Sequence, residues 1–561
     1  MRRTAAACIA FLLAATADAA DDPLVIVHAP ALAHAAAEWA AVRAAQGWTP
    51  ATIATVAGES PDDLASRVRG TLGEGRDGAA VLLLGDVGPE GVPTFHFDQT
   101  DPALRNGGEA TFASDHPYAL PASGAESAMI AVGRVPARTE SEALAILAKI
   151  RRYEETAPVG SWRHRVTYVA GEGHFGPLDR VLEQVFIRFI DEYLPPAYEL
   201  SMTYCKSDSP WCPPPTAVER TALDRLAQGS LLFNYVGHGS PTAVDSVRWP
   251  GDGPERRGPH EPILRGARLA DLAASGARQP IALMSCCSTG WFDLAPANGR
   301  PRDCLAELML KHPEGPMAIV AGTRPTHPYG NALFQKEFTR MLLDRADGTI
   351  GEVDRAARLA MFEIDDSDRA LDLIAKPIAV MTKWALPLEE LRLMHVRMYA
   401  LIGDPSMRVA ASGERLDLRL APVGAVPDDG PATLRATSTT VTTGTARVVI
   451  EVERGASSAA DLQAPAEGDD VARRTAHNYP LANQRTLWSG DTPVVGGAFS
   501  IDLPRPLPER AAFLRVEVVG TDGEGRVREA FGGLRLPRPA PPAPPAPPAP
   551  PTTTGAAAPA R

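Results

Sequence analysis

The sequence predicts an α/β fold with doubly wound, mostly parallel sheets, followed by a small all-β module. Three observations predict it. Short apolar runs alternate with amphipathic helical segments from Asp22 to about Ala410. After Ser412 the runs become short, alternate in polarity and are separated by Pro, Gly and Asp. The last stretch, LPRPAPPAPPAPPAPPTTTGAAAPAR, is low-complexity and proline-rich.

The elements follow in order. LVIVHA (24–29) precedes an Ala-rich helix around Ala33 to Gln46, and TIATVA (52–57) precedes a helix opened by Pro61-Asp62-Asp63. Proline and acidic residues in a first turn suit a helix N-terminus, where one N–H is unused and the dipole is positive. AAVLLLGD (79–86) and AMIAVGR (128–134) read as buried strands, and a long helix spans Glu140 to Glu155. RVTYVAGE (165–172), a helix from Leu178 to about Tyr193, SLLFNYVGHG (230–239), PIALMSCC (280–287) and PMAIVAGT (316–323) continue the series. Helices near Asn331–Leu343 and Ile350–Phe362 close it. The expected organisation is a signal segment at 1–19, two tandem α/β subdomains at 20–160 and 161–412, an immunoglobulin-like β-sandwich at 413–537 and a stiff polyproline tail at 538–561.

The chain is 45% hydrophobic and 22% charged, an ordinary globular composition, and its formal charge of −12 argues against nucleic acid as a partner. Its first residues have the pattern of a cleaved secretory signal: basic Arg2 and Arg3, an apolar stretch from Ala5 to Ala15, then the small-x-small site Ala17-Asp18-Ala19. No later run reaches the ~20 apolar residues that span a bilayer. The expectation is a soluble protein that is secreted, periplasmic or at the cell surface. Of the six cysteines, Cys8 lies in the signal, which leaves five. Cys205 and Cys212 flank a short Ser-Pro-Trp loop and are the expected disulfide pair; the odd count leaves at least one free thiol.

In open parallel sheets, reactive groups collect at the carboxyl ends of the strands. Three of the predicted strands end in Glu172, His238 and Cys287. A nucleophile, a base and a carboxylate at one sheet edge form an activated-nucleophile arrangement: thiolate attacks carbonyl, imidazole moves the proton, carboxylate orients the imidazole. Taken singly, a buried cysteine is most often a small hydrophobe and a strand-end histidine a structural one. Order and spacing favour chemistry, with His238 lying 49 residues before Cys287, each after an apolar strand. Strand alternation sends Cys286 and Cys287 to opposite faces, so only one enters a site. Cys287, at the strand exit before Ser288-Thr289-Gly290, is the candidate nucleophile, and Cys286 is expected in the core. The N–H groups of Cys287 and Gly239 are the candidate oxyanion hole. Zinc fits less well, because paired Cys-x₂₋₄-Cys spacing is lacking. A serine hydrolase would need a G-x-S-x-G elbow, which does not occur.

NYVGHGS (234–240) followed by SCCSTGWF (285–292) resembles the gingipain family of secreted cysteine peptidases, relatives of caspases and legumains. Cys287, Gly290 and Phe292 meet that family's pattern, in which a strand ends in Cys with Gly three and Phe five residues on; Cys286 does not. LLLGDVGPEGVP (82–93), SDHPY (114–118), IAVGRVPA (130–137) and LIGDPSM (401–407) are further landmarks in the same order. The resemblance implies a caspase/gingipain-like core, an acyl-enzyme on Cys287 and protein or peptide substrates. It also maps the third catalytic residue onto Glu172. It places Asp179 where arginine-cleaving members hold an S1 aspartate; the aromatic lid that the family carries after the PMAIVAGT strand is not plainly present in Arg324-Pro325-Thr326-His327-Pro328-Tyr329, where Tyr329 is the candidate substitute. No cofactor is required; a structural calcium ion is allowed, although no liganding loop can be read. The family's long inhibitory prosegment has no counterpart before the first strand, so latency would need another origin. The alternative from a different class is a catalytically inactive adhesin or secretion-associated scaffold that retains the peptidase fold, for which the sandwich and tail would serve attachment.

Overall fold

The structure, a computed structural model, describes residues 22–73, 78–100, 110–173, 190, 193–250, 257–345, 348–363, 386–410, 413–421, 433–466 and 470–536. The first half contributes β1 (Asp22–His28), β2 (Trp48–Ala54), β3 (Ala80–Leu84) and β6 (Ala131–Val135), with β4 (Phe95–Asp98) and β5 (Thr111–Ser114) forming a separate hairpin. β1 shows how one strand feeds two layers. Leu24 and Ile26 enter one core with Trp39, while Val25 and Val27 enter another with Leu64 and Val68. Side chains alternate faces along a strand, so α1 (Ala33–Ala44) and α2 (Pro61–Leu72) cover opposite sides of the sheet. Ser60 starts α2 by accepting the Asp63 N–H at 3.1 Å, and Thr139 caps α3 (Glu140–Thr156) by accepting that of Glu142 at 3.2 Å.

The second half contributes β7 (Arg165–Gly171), β8 (Glu199–Cys205) and β9 (Leu232–Val236), with α4 (Val218–Gln228) between the last two. Two hairpins follow, β10 (Gly239–Ser240) with β11 (Ala243–Val244), and β12 (Ser246–Pro250) with β13 (Arg257–Pro262). Then come β14 (Ile281–Ser285), α5 (Leu305–Lys311), β15 (Ala318–Gly322), α6 (Pro328–Asp344), α7 (Ile350–Ala360), α8 (Leu388–Met398) and β16 (Tyr399–Ile402). Strands β3, β6, β14 and β15 are buried at every residue, as expected of a parallel sheet covered on both faces. The halves are not two separate sheets. They join in one ten-stranded sheet, β2-β1-β3-β6-β16-β15-β14-β9-β7-β8. β16 runs antiparallel to β15 and meets β6 in parallel through the single pair Ile402–Arg134. The strands of the two halves therefore run in opposite directions, and the carboxyl ends of β7, β9 and β14 share one edge. The helix expected from Leu178 to Tyr193 falls largely outside the described residues.

The C-terminal module is all-β with one inserted helix. Its strands are β17 (Glu414–Arg415), β18 (Arg419–Ala421), β19 (Thr433–Thr437), β20 (Thr443–Glu451), β21 (Thr486–Val495), β22 (Ala498–Asp502), β23 (Phe513–Thr521) and β24 (Val527–Arg535). They are hydrogen-bonded in the order β17-β24-β23-β20-β21-β22-β19-β18. β21 and β22 share only the pair Val495–Ala498, at a turn where Gly496 and Gly497 take φ of 59° and 81°. At that corner the set folds over. Leu434 and Phe499 from one layer then meet Val448, Val516 and Val518 from the other.

The insertion between β20 and β21 carries α9 (Val471–Ala482), which the sequence pattern does not announce. It covers the edge strand β8. Asn483 takes the Met202 N–H at 2.9 Å and donates to the Met202 carbonyl at 2.8 Å; Arg485 donates to Leu200 O at 2.6 Å; Tyr479 Oη meets Thr203 Oγ1 at 2.8 Å. An exposed edge strand is a template for foreign pairing, and these side chains close it.

Candidate active site

The site begins with register. Val236 on β9 lies opposite Ser285 on β14 and also opposite Ala170 on β7. Two residues beyond each of these come His238, Cys287 and Glu172. Adjacent strands lie about 4.8 Å apart, so the sheet brings the strand ends that precede the three candidates to one level, in the spatial order β14, β9, β7.

The chain after β14 is held tightly. Cys286 points into the core at 0% exposure, its Sγ 3.4 Å from Thr289 Oγ1, and burial pushes its thiol up. Cys287 is only partly buried. Ser288 adopts φ 59°, a left-handed conformation that favours glycine and stores strain at this turn. Ser288 N–H donates to Arg324 O at 3.1 Å and Gly290 N–H to Gly322 O at 2.9 Å, which stitches the nucleophile loop to the loop after β15. A Cβ at Gly290 would lie 2.8 Å from Ala321 O. That close approach explains why the position is glycine.

The backbone at Gly239 packs against that of Cys287. A Cβ on Gly239 would sit 2.5 Å from Cys287 O and 2.8 Å from Cys286 Sγ, so this backbone rests directly on the nucleophile loop. Asp245 N–H donates to His238 O at 3.2 Å across the pair Gly239–Val244, so the Gly239 N–H points away from its hairpin partner. Cys286 and Ser288 give their N–H groups to Met284 O and Arg324 O. Among the described residues, the Cys287 N–H between them is given to no backbone carbonyl.

His238 Nε2 lies 3.0 Å from the carbonyl oxygen of Gly173. A carbonyl only accepts, so Nε2 carries the hydrogen and Nδ1 of the neutral ring keeps the lone pair. The backbone of Gly173, one residue after the expected Glu172, thus supplies one hydrogen-bond partner of the ring. The Glu172 charge also reaches Cys212.

Other expectations are corrected. Tyr329 is no lid: it is 5% exposed, and its hydroxyl accepts Arg392 Nη2 at 2.9 Å. His327 caps α6 and Pro328 opens it, which turns the next side chain inward. Cys205 and Cys212 are free thiols, both buried, so the expected disulfide is not formed. Each is held as a small apolar group of the main core. Burial is the main reason both thiols are pushed up, Cys212 to about 12. Asp179 lies outside the described residues.

Three contacts were not legible beforehand. Thr326 N–H donates to Cys287 Sγ at 3.3 Å. Arg324 binds Asp293 through both Nη atoms, at 2.7 and 2.6 Å, with its guanidinium 4.1 Å from the centre of the Trp291 ring. His96, from the β4–β5 hairpin, reaches Asp293 Oδ2 at 3.0 Å. The sequence RPTHPY offered no side chain of obvious chemistry at 326, and the key donor there is backbone. As for calcium, no three His, Cys, Asp or Glu side chains group together to hold a metal ion among the described residues. No helix of the described residues is long and apolar enough to cross a membrane.

Comparison with known proteins follows the same line. The profile of peptidase family C25 matches residues 17–410. No curated protein matches the chain. Among solved structures the chain is similar to the Arg-specific cysteine proteinase gingipain R (RgpB), with 18% identity over 92% of this chain and 99% of that one and a TM-score of 0.48. It is similar also to the complex of the pro- and mature domains of RgpB from Porphyromonas gingivalis, with 16% identity over 91% of this chain and 100% of that one and a TM-score of 0.47. With the family profile spanning most of the α/β region, this chain belongs to peptidase family C25, the gingipain family.

Proposed function

We propose that this chain is an exported cysteine endopeptidase in which Cys287 attacks the substrate carbonyl and His238 moves the proton. The observation that supports the proposal is the register of Ser285 with Val236, each two residues before Cys287 and His238, together with the Gly173 carbonyl that meets the imidazole. With Nε2 engaged, Nδ1 takes the proton from the Cys287 thiol as sulfur bonds to the carbonyl carbon. The oxyanion that forms faces the N–H groups of Cys287 and Gly239. The imidazolium then protonates the leaving amine, which departs as the C–N bond breaks and leaves an acyl-enzyme. A water, deprotonated by the same nitrogen, releases the acid and restores the thiol. Glu172 adds a carboxylate at the same level of the sheet.

Substrates are proteins or peptides, the class to which this family's chemistry applies. A preference for basic P1 residues follows if Asp179 lines the S1 pocket, as the resemblance implies. The signal-like first residues support export. Calcium has no assigned ligands, and no step above depends on it.

The test is hydrolysis of fluorogenic peptides varied at P1, by wild type, Cys287→Ala, His238→Ala and Glu172→Gln. Cys287→Ala should abolish turnover, and His238→Ala should lower kcat by about 10²–10⁴, the size of a general acid–base contribution. Glu172→Gln should cost far less, because the Gly173 carbonyl survives it. Wild-type turnover of basic P1 peptides only would support Asp179. Undiminished turnover by Cys287→Ala would overturn the nucleophile, and no turnover by wild type, with calcium and reductant present, would favour the inactive scaffold.

A further inference from the structure

We propose that Thr326 is a positioning residue for the Cys287 sulfur, and that Gly322 is glycine because Thr326 must fold back over it. The inference rests on the peptidase reading above. Among the described residues, the hydrogen bonds at Cys287 Sγ come from one residue. Thr326 N–H donates to sulfur at 3.3 Å, Thr326 Oγ1 lies 3.8 Å away as a second donor, and the S–H faces Thr326 O at 3.7 Å.

Sheet order gives this contact its meaning. β14 lies between β9 and β15. The nucleophile is therefore flanked by His238 from the β9 side and by Thr326 from the β15 side. An N–H and an O–H aimed at sulfur hold it in place and fix the direction from which it attacks. Thr326 gives up no proton; the thiol proton goes to His238 Nδ1.

The residue is pinned from both ends. On one side, Thr323 Oγ1 donates to Ala113 O at 2.8 Å and Thr323 N–H to Met398 O at 3.1 Å, while Arg324 is clamped by Asp293 and Trp291. On the other, His327 N–H donates to His395 Nε2 at 2.9 Å, and α6 begins at once. Pro325 stiffens the turn between. Thr326 itself is 3% exposed, so substrate does not explain its burial. A Cβ at Gly322 would stand 2.5 Å from Thr326 Cγ2. Gly322 is not in the left-handed region, so its lack of a side chain answers to space and not to backbone conformation.

The experiment measures iodoacetamide alkylation of Cys287 at pH 7, followed by mass spectrometry of its peptide, beside kcat and KM for a turned-over peptide. The variants are Thr326→Val, Thr326→Ser, Gly322→Ala and the double variant Gly322→Ala/Thr326→Ser. Thr326→Val keeps the shape and removes the hydroxyl donor. It should lower alkylation and kcat together by about threefold or more, the worth of one weak hydrogen bond to a charged acceptor, with KM little changed. Thr326→Ser should retain most of both rates. Gly322→Ala should be at least as slow as Thr326→Val, because its methyl displaces the whole residue. Adding Thr326→Ser removes Cγ2, makes room for that methyl and should restore most of the rate. The proposal is overturned if Thr326→Val alkylates at the wild-type rate, if it raises KM and leaves kcat alone, or if the double variant is no faster than Gly322→Ala. Alkylation reads the sulfur whether or not it is the peptidase nucleophile. Failure of the peptidase reading would show separately, as turnover surviving Cys287→Ala.

Discussion

The backbone N–H of His327 donates to Nε2 of His395 at 2.9 Å, and His395 Nδ1 in turn donates to Leu391 O at 2.7 Å. One buried neutral imidazole thus ties the loop beneath the nucleophile to α8. Burial lowers the His395 pKa to about 4. An unfolded histidine titrates near 6.5, so the unfolded state binds the extra proton first as pH falls. The contribution is complete above about pH 6.5 and is lost progressively toward pH 4, worth roughly 3 kcal/mol across that window. Urea unfolding of wild type should show this loss, and His395→Gln, which keeps an acceptor that does not titrate, should show a flatter profile between pH 6.5 and 4.

Asp293 is a second pH-sensitive tie. Burial opposes its charge, but hydrogen bonds from His96 and Arg324 outweigh this and hold the carboxyl down at about 2. Its contribution is present above the unfolded carboxyl range and lost as pH falls through about 2. Asp293→Asn leaves the Arg324 charge, 4% exposed, without its partner. The expected cost is about 3–5 kcal/mol, read as a lower thermal midpoint at pH 7.

Gly239→Ala addresses the oxyanion hole. Its methyl would stand 2.5 Å from Cys287 O, a backbone atom that cannot swing aside. Loop separation should lower kcat by about 10²–10³, the cost of losing one oxyanion donor. Circular dichroism should show the sheet unchanged, because the position lies beyond the end of β9.

Asn483 tests whether the C-terminal module is a separable attachment. Its amide supplies both hydrogen bonds of Met202 on the edge strand β8. Asn483→Ala should cost about 1–3 kcal/mol through two buried backbone groups left unpaired. Removing everything after residue 412 should leave β8 open and yield a chain that aggregates. A truncated chain that stays monomeric by light scattering would contradict this role.

Much of the fold was legible because its signals are local. The all-buried runs at β3, β14 and β15 and the change of pattern after Ser412 follow from periodicity and composition. The inserted α9 and the single continuous sheet were not, because one depends on docking against β8 and the other on a single pair between β16 and β6. Tyr329 misled for a similar reason. Its aromatic ring suited a lid, but whether it faces the cleft or the core is set by where Pro328 starts a helix.

The sequence by itself determined that Glu172, His238 and Cys287 end apolar strands, and that alternation separates Cys287 from Cys286. Only the tertiary structure decided that the three ends stand at one level, through the register of Ser285, Val236 and Ala170. It also decided that a Gly173 carbonyl meets the imidazole and that the Thr326 N–H meets the sulfur. The physical reason is that every residue but proline carries the same N–H and every residue the same C=O. Side-chain identity cannot mark which of them will matter; only long-range packing aims them.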